Sequence, residues 1–170
     1  MEIKFTLCFI RYQNEFLMLF RNKAPNKNKW NGVGGKIEAE ETPLHSCQRE
    51  IQEETGLHID LRDIHFRGVV TWNHEGGMYV FVARSDTPLV VSGQEGKLEW
   101  KSLSWIMDSG LAVSNIPLFL PYMLEEENEP VEFAFTYNQQ EEVVSYQVIP
   151  DSTYLTPKGE ERLEITNDQK

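Results

Sequence analysis

Cysteine is scarce in this 170-residue chain: Cys8 and Cys47 are the only two, far apart in sequence, which excludes a disulfide-dense scaffold. The opening stretch MEIKFTLCFIRYQ has neither the basic start nor the long apolar core of a secretory leader, so a reducing cytoplasm is the expected setting. No apolar run reaches the roughly 18–20 residues that cross a bilayer, and no cysteine–histidine spacing suggests zinc; no membrane partner is expected. Basic residues are also outnumbered, 16 Lys and Arg against 27 Asp and Glu, for a formal net charge of -11. Such a balance disfavours long nucleic acid, whose binding depends on neutralising phosphates with Lys and Arg. A small anionic substrate remains compatible if metal ions offset the charge locally, and the other acids serve solubility.

There is no internal repeat and no second composition. At 40% hydrophobic residues, one compact domain can bury a sizeable core. Residues 1–150 are expected to form that domain. The last twenty, DSTYLTPKGEERLEITNDQK, are charged and poor in large apolar groups, so 151–170 reads as a flexible tail.

Residues 3–12 and 15–21 form two apolar runs around Gln13 and Asn14, the pattern of a hairpin. The polar stretch 22–31 that follows, with Pro25 and several asparagines, is expected to be an exposed loop. With Arg21 it supplies a local positive patch able to attract phosphate. Thr42 can cap a helix whose first position is Pro43, where a missing N–H costs nothing, and Gly56 offers its stop. A helix is therefore expected over about 43–55. VVTWN and MYVFVAR around HEGG predict a second hairpin within 67–84. Leu98–Ile106 suggests a strand running into a turn, 111–125 a proline-marked second helix, and Val131–Pro150 two more strands.

The chemistry is concentrated on the first helix. Glu50, Glu53 and Glu54 fall at i, i+3 and i+4, which brings three carboxylates onto one helical face. Like charges so placed repel, and need Arg49 or a divalent cation to balance them. Leu44, Cys47 and Ile51 make a separate apolar stripe about a quarter turn away, so the helix can pack and still present its acids. A solvated face is the ordinary meaning of a Glu-rich helix; the flanking residues argue otherwise.

Those residues read GKIEAEETPLHSCQREIQEETGL from Gly35 to Leu57. The segment resembles the Nudix box, G-x5-E-x7-R-E-U-x-E-E-x-G-U with U aliphatic, at all nine specified positions. Its physical sense is plain: a glycine turn lets backbone approach a metal, and hard carboxylate oxygens suit magnesium or manganese. The resemblance implies an α/β (α+β) Nudix fold, a mixed β-sheet sandwiched between helices, and a hydrolase that uses Mg2+, with Mn2+ a substitute. It implies Glu50, Glu53, Glu54 and the Gly35 carbonyl as metal ligands. Glu50 or Glu53 would assist deprotonation of water, and Arg49, with Glu41, would orient the glutamates. Lys36 is placed to meet a phosphate, as is Arg21 at the edge of the basic patch.

The box defines the reaction and leaves the substrate open, because it recurs among enzymes for many nucleoside diphosphate derivatives. The stretch KWNGVGGKI, Lys29–Ile37, is similar to 8-oxo-dGTP diphosphatases of the MutT-like branch, a nucleotide-pool sanitation and DNA-repair activity. That resemblance implies Asn31, Trp72 and Asn115 in the base pocket and Glu95 as a late metal or catalytic acid. An amide offers donor and acceptor together, as a purine edge requires; a turn-stabilising role is the alternative for Asn31, and core packing for Trp72. The chain departs from vertebrate-type members in having AVSNIP where they carry a tryptophan and paired aspartates. The expected activity is hydrolysis of a nucleoside triphosphate, 8-oxo-dGTP among the candidates, to monophosphate and pyrophosphate. Alternatives are a nucleotide sugar, a dinucleoside polyphosphate or an RNA 5′ end as substrate, or a nucleotide-binding regulator without catalysis, which the complete set of box carboxylates disfavours.

Overall fold

The computed structural model describes residues 1–156. Its backbone is one mixed sheet with helices on both faces, as expected from the sequence. β1 (Phe5–Tyr12) and β2 (Glu15–Arg21) form the first hairpin, turning at Gln13 with a left-handed φ of 53°. β3 (Trp30–Asn31) continues beside β2, and β4 (Val33–Lys36) pairs antiparallel with β1. β5 (Ile64–Trp72) and β6 (Gly76–Arg84) make the second hairpin, and β7 (Gly96–Ser102) returns to pair with β2. β8 (Val131–Tyr137) and β9 (Val143–Ile149) complete the far end. The main path runs β3-β2-β1-β6-β5-β8-β9, parallel at β1–β6 and β5–β8.

Strand alternation splits the interior into two cores. Cys8, Ile10, Leu17 and Leu19 join Leu44, Cys47 and Ile51 of α1 (Pro43–Thr55) on one side. Leu7, Phe9, Phe16 and Met18 join Ile106 of α2 (Leu103–Asp108) and Phe119, Leu120 and Met123 of α3 (Ile116–Leu124) on the other. The α1 boundaries follow its sequence signals: Thr42 accepts from the His45 N–H, and Gly56 takes the left-handed φ of 77° that a side chain would resist.

Four expectations change. The loop after β2 ends at Lys29, because Trp30 is buried against Phe20 and Trp105 rather than exposed. The strand foreseen for Leu98–Ile106 starts at Gly96 and stops at Ser102, whose hydroxyl caps α2 by accepting from the Trp105 N–H. The second long helix begins at Ile116 and not at 111, because Leu111 and Val113 are drawn out to bond the Trp30 backbone on either side. Within the expected tail, Thr153–Leu155 form a 3-10 turn whose Tyr154 and Leu155 pack on the α1-side core; the remainder of that tail, 157–170, lies outside the described residues.

Phe119 has no solvent exposure and packs on Phe9, Phe133 and Phe135, so it joins β1, β8 and α3. Truncation to Ala is expected to cost about 3–5 kcal/mol of stability, measured as a lowered midpoint in urea denaturation.

Candidate active site

Packing of the Leu44–Cys47–Ile51 stripe turns the acid face of α1 toward β4. The two glycines there are tightly approached. A Cβ on Gly35 would sit 2.6 Å from the Glu50 carboxyl carbon, so a side chain there would displace that carboxylate from the strand. The neighbouring Gly34 N–H donates to Glu54 Oε1 at 2.7 Å.

Arg49 holds the cluster together. Its Nε and Nη2 donate to the two oxygens of Glu41, at 2.5 and 2.9 Å, the bidentate fork that suits guanidinium and carboxylate. Nη1 donates to Glu50 at 2.7 Å and Glu53 at 3.1 Å, and Nη2 reaches the Lys36 carbonyl at 3.2 Å. Glu38 lies 3.8 Å away. The hydrogen bonds from Arg49 lower the Glu41 pKa below the ordinary carboxylate value.

Glu50 and Glu54 are different in kind. Burial raises the Glu50 pKa despite Arg49. Glu54, 7% exposed, is pushed up to about 8, first by burial and further by the charges of Glu50 and Glu95; the Gly34 N–H works the other way. Glu95 therefore belongs to this neighbourhood although it enters from the segment before β7. It pairs with Lys23 at 3.2 Å and with Arg21 at 4.0 Å. Glu53, by contrast, is 59% exposed. Among the described residues no three His, Cys, Asp or Glu side chains converge on one point, since Glu53 faces Arg49 and Glu54 faces Gly34. The donor set nevertheless suits a hard divalent cation: all oxygen, two carboxylates disfavoured as anions by burial, and a glycine cradle beside Glu50.

Of the remaining candidates, Arg21 borders this cluster through Glu95 and Lys36 through the Arg49 bond to its carbonyl, whereas Asn31, Trp72 and Asn115 make their contacts elsewhere. Lys36 is exposed at the end of β4. Arg21 ends β2, where Nε donates to the Pro25 carbonyl at 2.6 Å. Asn31 Oδ1 accepts from the Gly32 N–H at 2.8 Å, a local contact of the turn-stabilising kind. Trp72 is half-buried at the end of β5, belongs to neither core, and lays its indole over Gly76. Asn115 is 5% exposed at the start of α3; its Nδ2 donates to the Tyr137 hydroxyl at 3.0 Å, and its Oδ1 is buried without a hydrogen-bond partner. The ladder between Trp30 and 111–113 sets the Asn115 segment beside the strand that carries Asn31. Sequence reasoning placed Lys23 only within the general positive patch and did not foresee its pairing with Glu95, which comes from a distant segment.

The chain matches the NUDIX domain over residues 4–119, which include every box carboxylate and Arg49. It is 30% identical over 154 residues to an uncharacterized Nudix hydrolase of Bacillus subtilis, covering 85% of this chain and 93% of that one. An oxidized purine nucleoside triphosphate hydrolase of Danio rerio is 26% identical over 126 residues, 71% of this chain and 79% of the relative. The crystal structure of a mutator MutT protein from Bacillus halodurans superposes with a TM-score of 0.71 at 23% identity, covering 87% and 98% of the two chains, a likeness of fold. With the box intact on α1 and the sheet of the family around it, the chain belongs to the Nudix hydrolases, enzymes that cleave phosphoric anhydride bonds with divalent metal ions. Among the described residues no helix is long and apolar enough to cross a membrane.

Glu54 yields a pH test. Between the unfolded carboxyl value near 4.3 and about 8, the metal-free fold holds a proton on Glu54 that the unfolded chain has lost. Its contribution to stability is full below that window and is lost as pH rises through it. Thermal melts of chelator-treated protein are expected to show this fall, and Glu54→Gln to flatten it. Added magnesium should stabilise more at the alkaline end, because cation and proton compete for the same oxygens.

Proposed function

We propose that the protein hydrolyses a purine nucleoside triphosphate, 8-oxo-dGTP being the first candidate, to the monophosphate and pyrophosphate with magnesium, manganese substituting. The observation that carries this reading is the joining of two features through β3 and β4. The acid face of α1 lies on β4, and buried Asn115 stands beside the Trp30–Asn31 strand immediately before it. The Danio rerio relative, named for oxidized purine nucleoside triphosphates, supports the same substrate class.

Glu50, Glu53, Glu54, Glu95 and the Gly35 carbonyl would hold the cation. When bound, it neutralises phosphate charge and acidifies a water for in-line attack. Arg49 keeps Glu50 and Glu53 oriented through its fork on Glu41. Glu53, the most exposed of the three helix acids, is the group best placed to take a proton from water, with Glu50 enclosed beside Gly35. Lys36 and Arg21 supply positive charge for the phosphates, Arg21 sharing its charge with Glu95. Asn31, Trp72 and Asn115 would meet the base: two amides for its polar edge and one half-exposed indole for its face. The large acidic surplus favours a small substrate over long nucleic acid, whose binding depends on neutralising many phosphates. Cytoplasmic residence fits the same reading, the nucleotide pool being there.

The test is a product-resolved screen with magnesium over dGTP, 8-oxo-dGTP, ATP, ADP-ribose, diadenosine tetraphosphate and a nucleotide sugar. Pyrophosphate from 8-oxo-dGTP, at a kcat/KM well above that for dGTP, is the expected result. Preference for ADP-ribose or a dinucleoside polyphosphate would remove Asn31, Trp72 and Asn115 from the base pocket. With the preferred substrate, Glu53→Gln is expected to lower kcat by about 10²–10⁴-fold with far-ultraviolet circular dichroism unchanged; near-normal turnover would exclude Glu53 as the base.

A further inference from the structure

β9 ends the main path of the sheet, and among the described residues no strand pairs with its outer side. An edge strand offers a row of backbone N–H and C=O groups to any second strand, and folded chains guard against this with lysine, proline, bulges or a covering segment. β9 is poorly guarded. Its seven residues, VVSYQVI, include no charge and no proline and none is buried, in a chain where one residue in four is charged. Its register shift with β8 falls at the Val143 end and leaves the rest regular. Alternation puts Val144, Tyr146 and Val148 on the α2–α3 face, where they are 62%, 43% and 46% exposed. The Tyr146 ring packs on Phe133 and Phe135, and Phe133 packs in turn on Tyr122 of α3, so this apolar row is fixed to the second core. Ser145 and Gln147 point to the opposite face, opposite Thr136 and Ala134.

The strand also reads alike in both directions. About Tyr146 as centre, Val144 mirrors Val148, Ser145 mirrors Gln147 and Val143 mirrors Ile149. An antiparallel strand of the same sequence therefore meets apolar with apolar and polar with polar at each position, the self-complementarity that a twofold interface requires. Although each chain carries a net charge of -11, no carboxylate would be set against another within the strand.

We propose that β9 is a homodimerisation edge: two copies of the chain pair β9 antiparallel about a twofold axis at Tyr146, so that Val144 of one copy lies opposite Val148 of the other. Just beyond the strand ends, Glu141 of each copy then comes against Asp151 of the other. That contact and the net charge oppose association, so salt strengthens it by screening. Seven residues a side is about a third of the roughly 20–30 that a standard interface uses, which makes the dimer weak and reversible. β6, β5 and β8 separate β9 from β1, so the pairing leaves both acid clusters uncovered, whichever nucleotide they hydrolyse.

The test is sedimentation equilibrium of the full chain at concentrations up to about 1 mM, with Val144→Lys, Val148→Glu and an equal mixture of the two variants. The wild type is expected to dimerise with a Kd of about 10–100 µM at physiological ionic strength, and more tightly as salt rises. Each variant alone should weaken dimerisation by about tenfold or more, because twofold symmetry places two altered pairs in every dimer. Mixed, they should recover the wild-type affinity to within about threefold, since the lysine introduced in one chain meets the glutamate introduced in the other. Both positions are exposed, so the far-ultraviolet circular dichroism of each variant should match that of the wild type.

A wild type that stays monomeric throughout this range overturns the proposal, including the case in which slow exchange of the β9 amides shows another part of the chain covering the edge. Dimerisation that neither variant weakens puts the interface on another surface. Weakening in both variants without recovery on mixing rules out the antiparallel register centred on Tyr146. Either of these results overturns it as well.

Discussion

Arg49 sets one delocalised cation among Glu38, Glu41, Glu50 and Glu53, and the arrangement of the site follows from it. Three acids at i, i+3 and i+4 on one helical face would separate if left alone. The guanidinium spends its best geometry on Glu41, which is not one of the three, and its remaining donors on Glu50 and Glu53. Glu41 therefore serves as the anchor of the clamp. Because Nη2 also reaches the Lys36 carbonyl, the same side chain ties α1 to the end of β4. A lysine could not make these contacts together, lacking the planar fork.

The sheet divides the labour. On the α1 side, burial raises the proton affinity of Glu50 and Glu54, and the sheet brings Glu95 in to press further on Glu54. On the α2–α3 side, apolar and aromatic residues dominate, with the Asn115–Tyr137 pair as a polar exception. The short run Trp30–Lys36 spans both: Trp30 belongs to the second core, Val33 to the first, and Gly34 bonds Glu54. Alternation of side chains along one strand segment is what lets it contribute to both faces of the sheet within a few residues.

The elements legible in the sequence were those whose signals are local. The limits of α1 rest on Thr42, Pro43 and Gly56, all within the element or next to it. Both hairpins follow from apolar runs around short turns. Two of the misplaced boundaries share one cause: Trp30 and 111–113 bond each other across a long sequence separation, so a stretch read as loop became strand and a stretch read as helix was drawn out. Tyr154 and Leu155 were lost to sequence reading for a similar reason, two apolar side chains in a charged run finding a core surface assembled elsewhere.

By itself the sequence determined the chemistry on offer. The Nudix box places three carboxylates on one helical face and an arginine beside them, and helical periodicity allows few other outcomes. Only the tertiary structure decided what those groups meet. It buries Glu54 on the Gly34 N–H, encloses Glu50 against Gly35 and brings Glu95 within electrical reach. It also closes the Asn115 amide at one end with Tyr137. The physical reason is that side-chain spacing within a helix is fixed by 3.6 residues per turn, whereas burial and pairing between distant segments depend on how the strands register in the sheet.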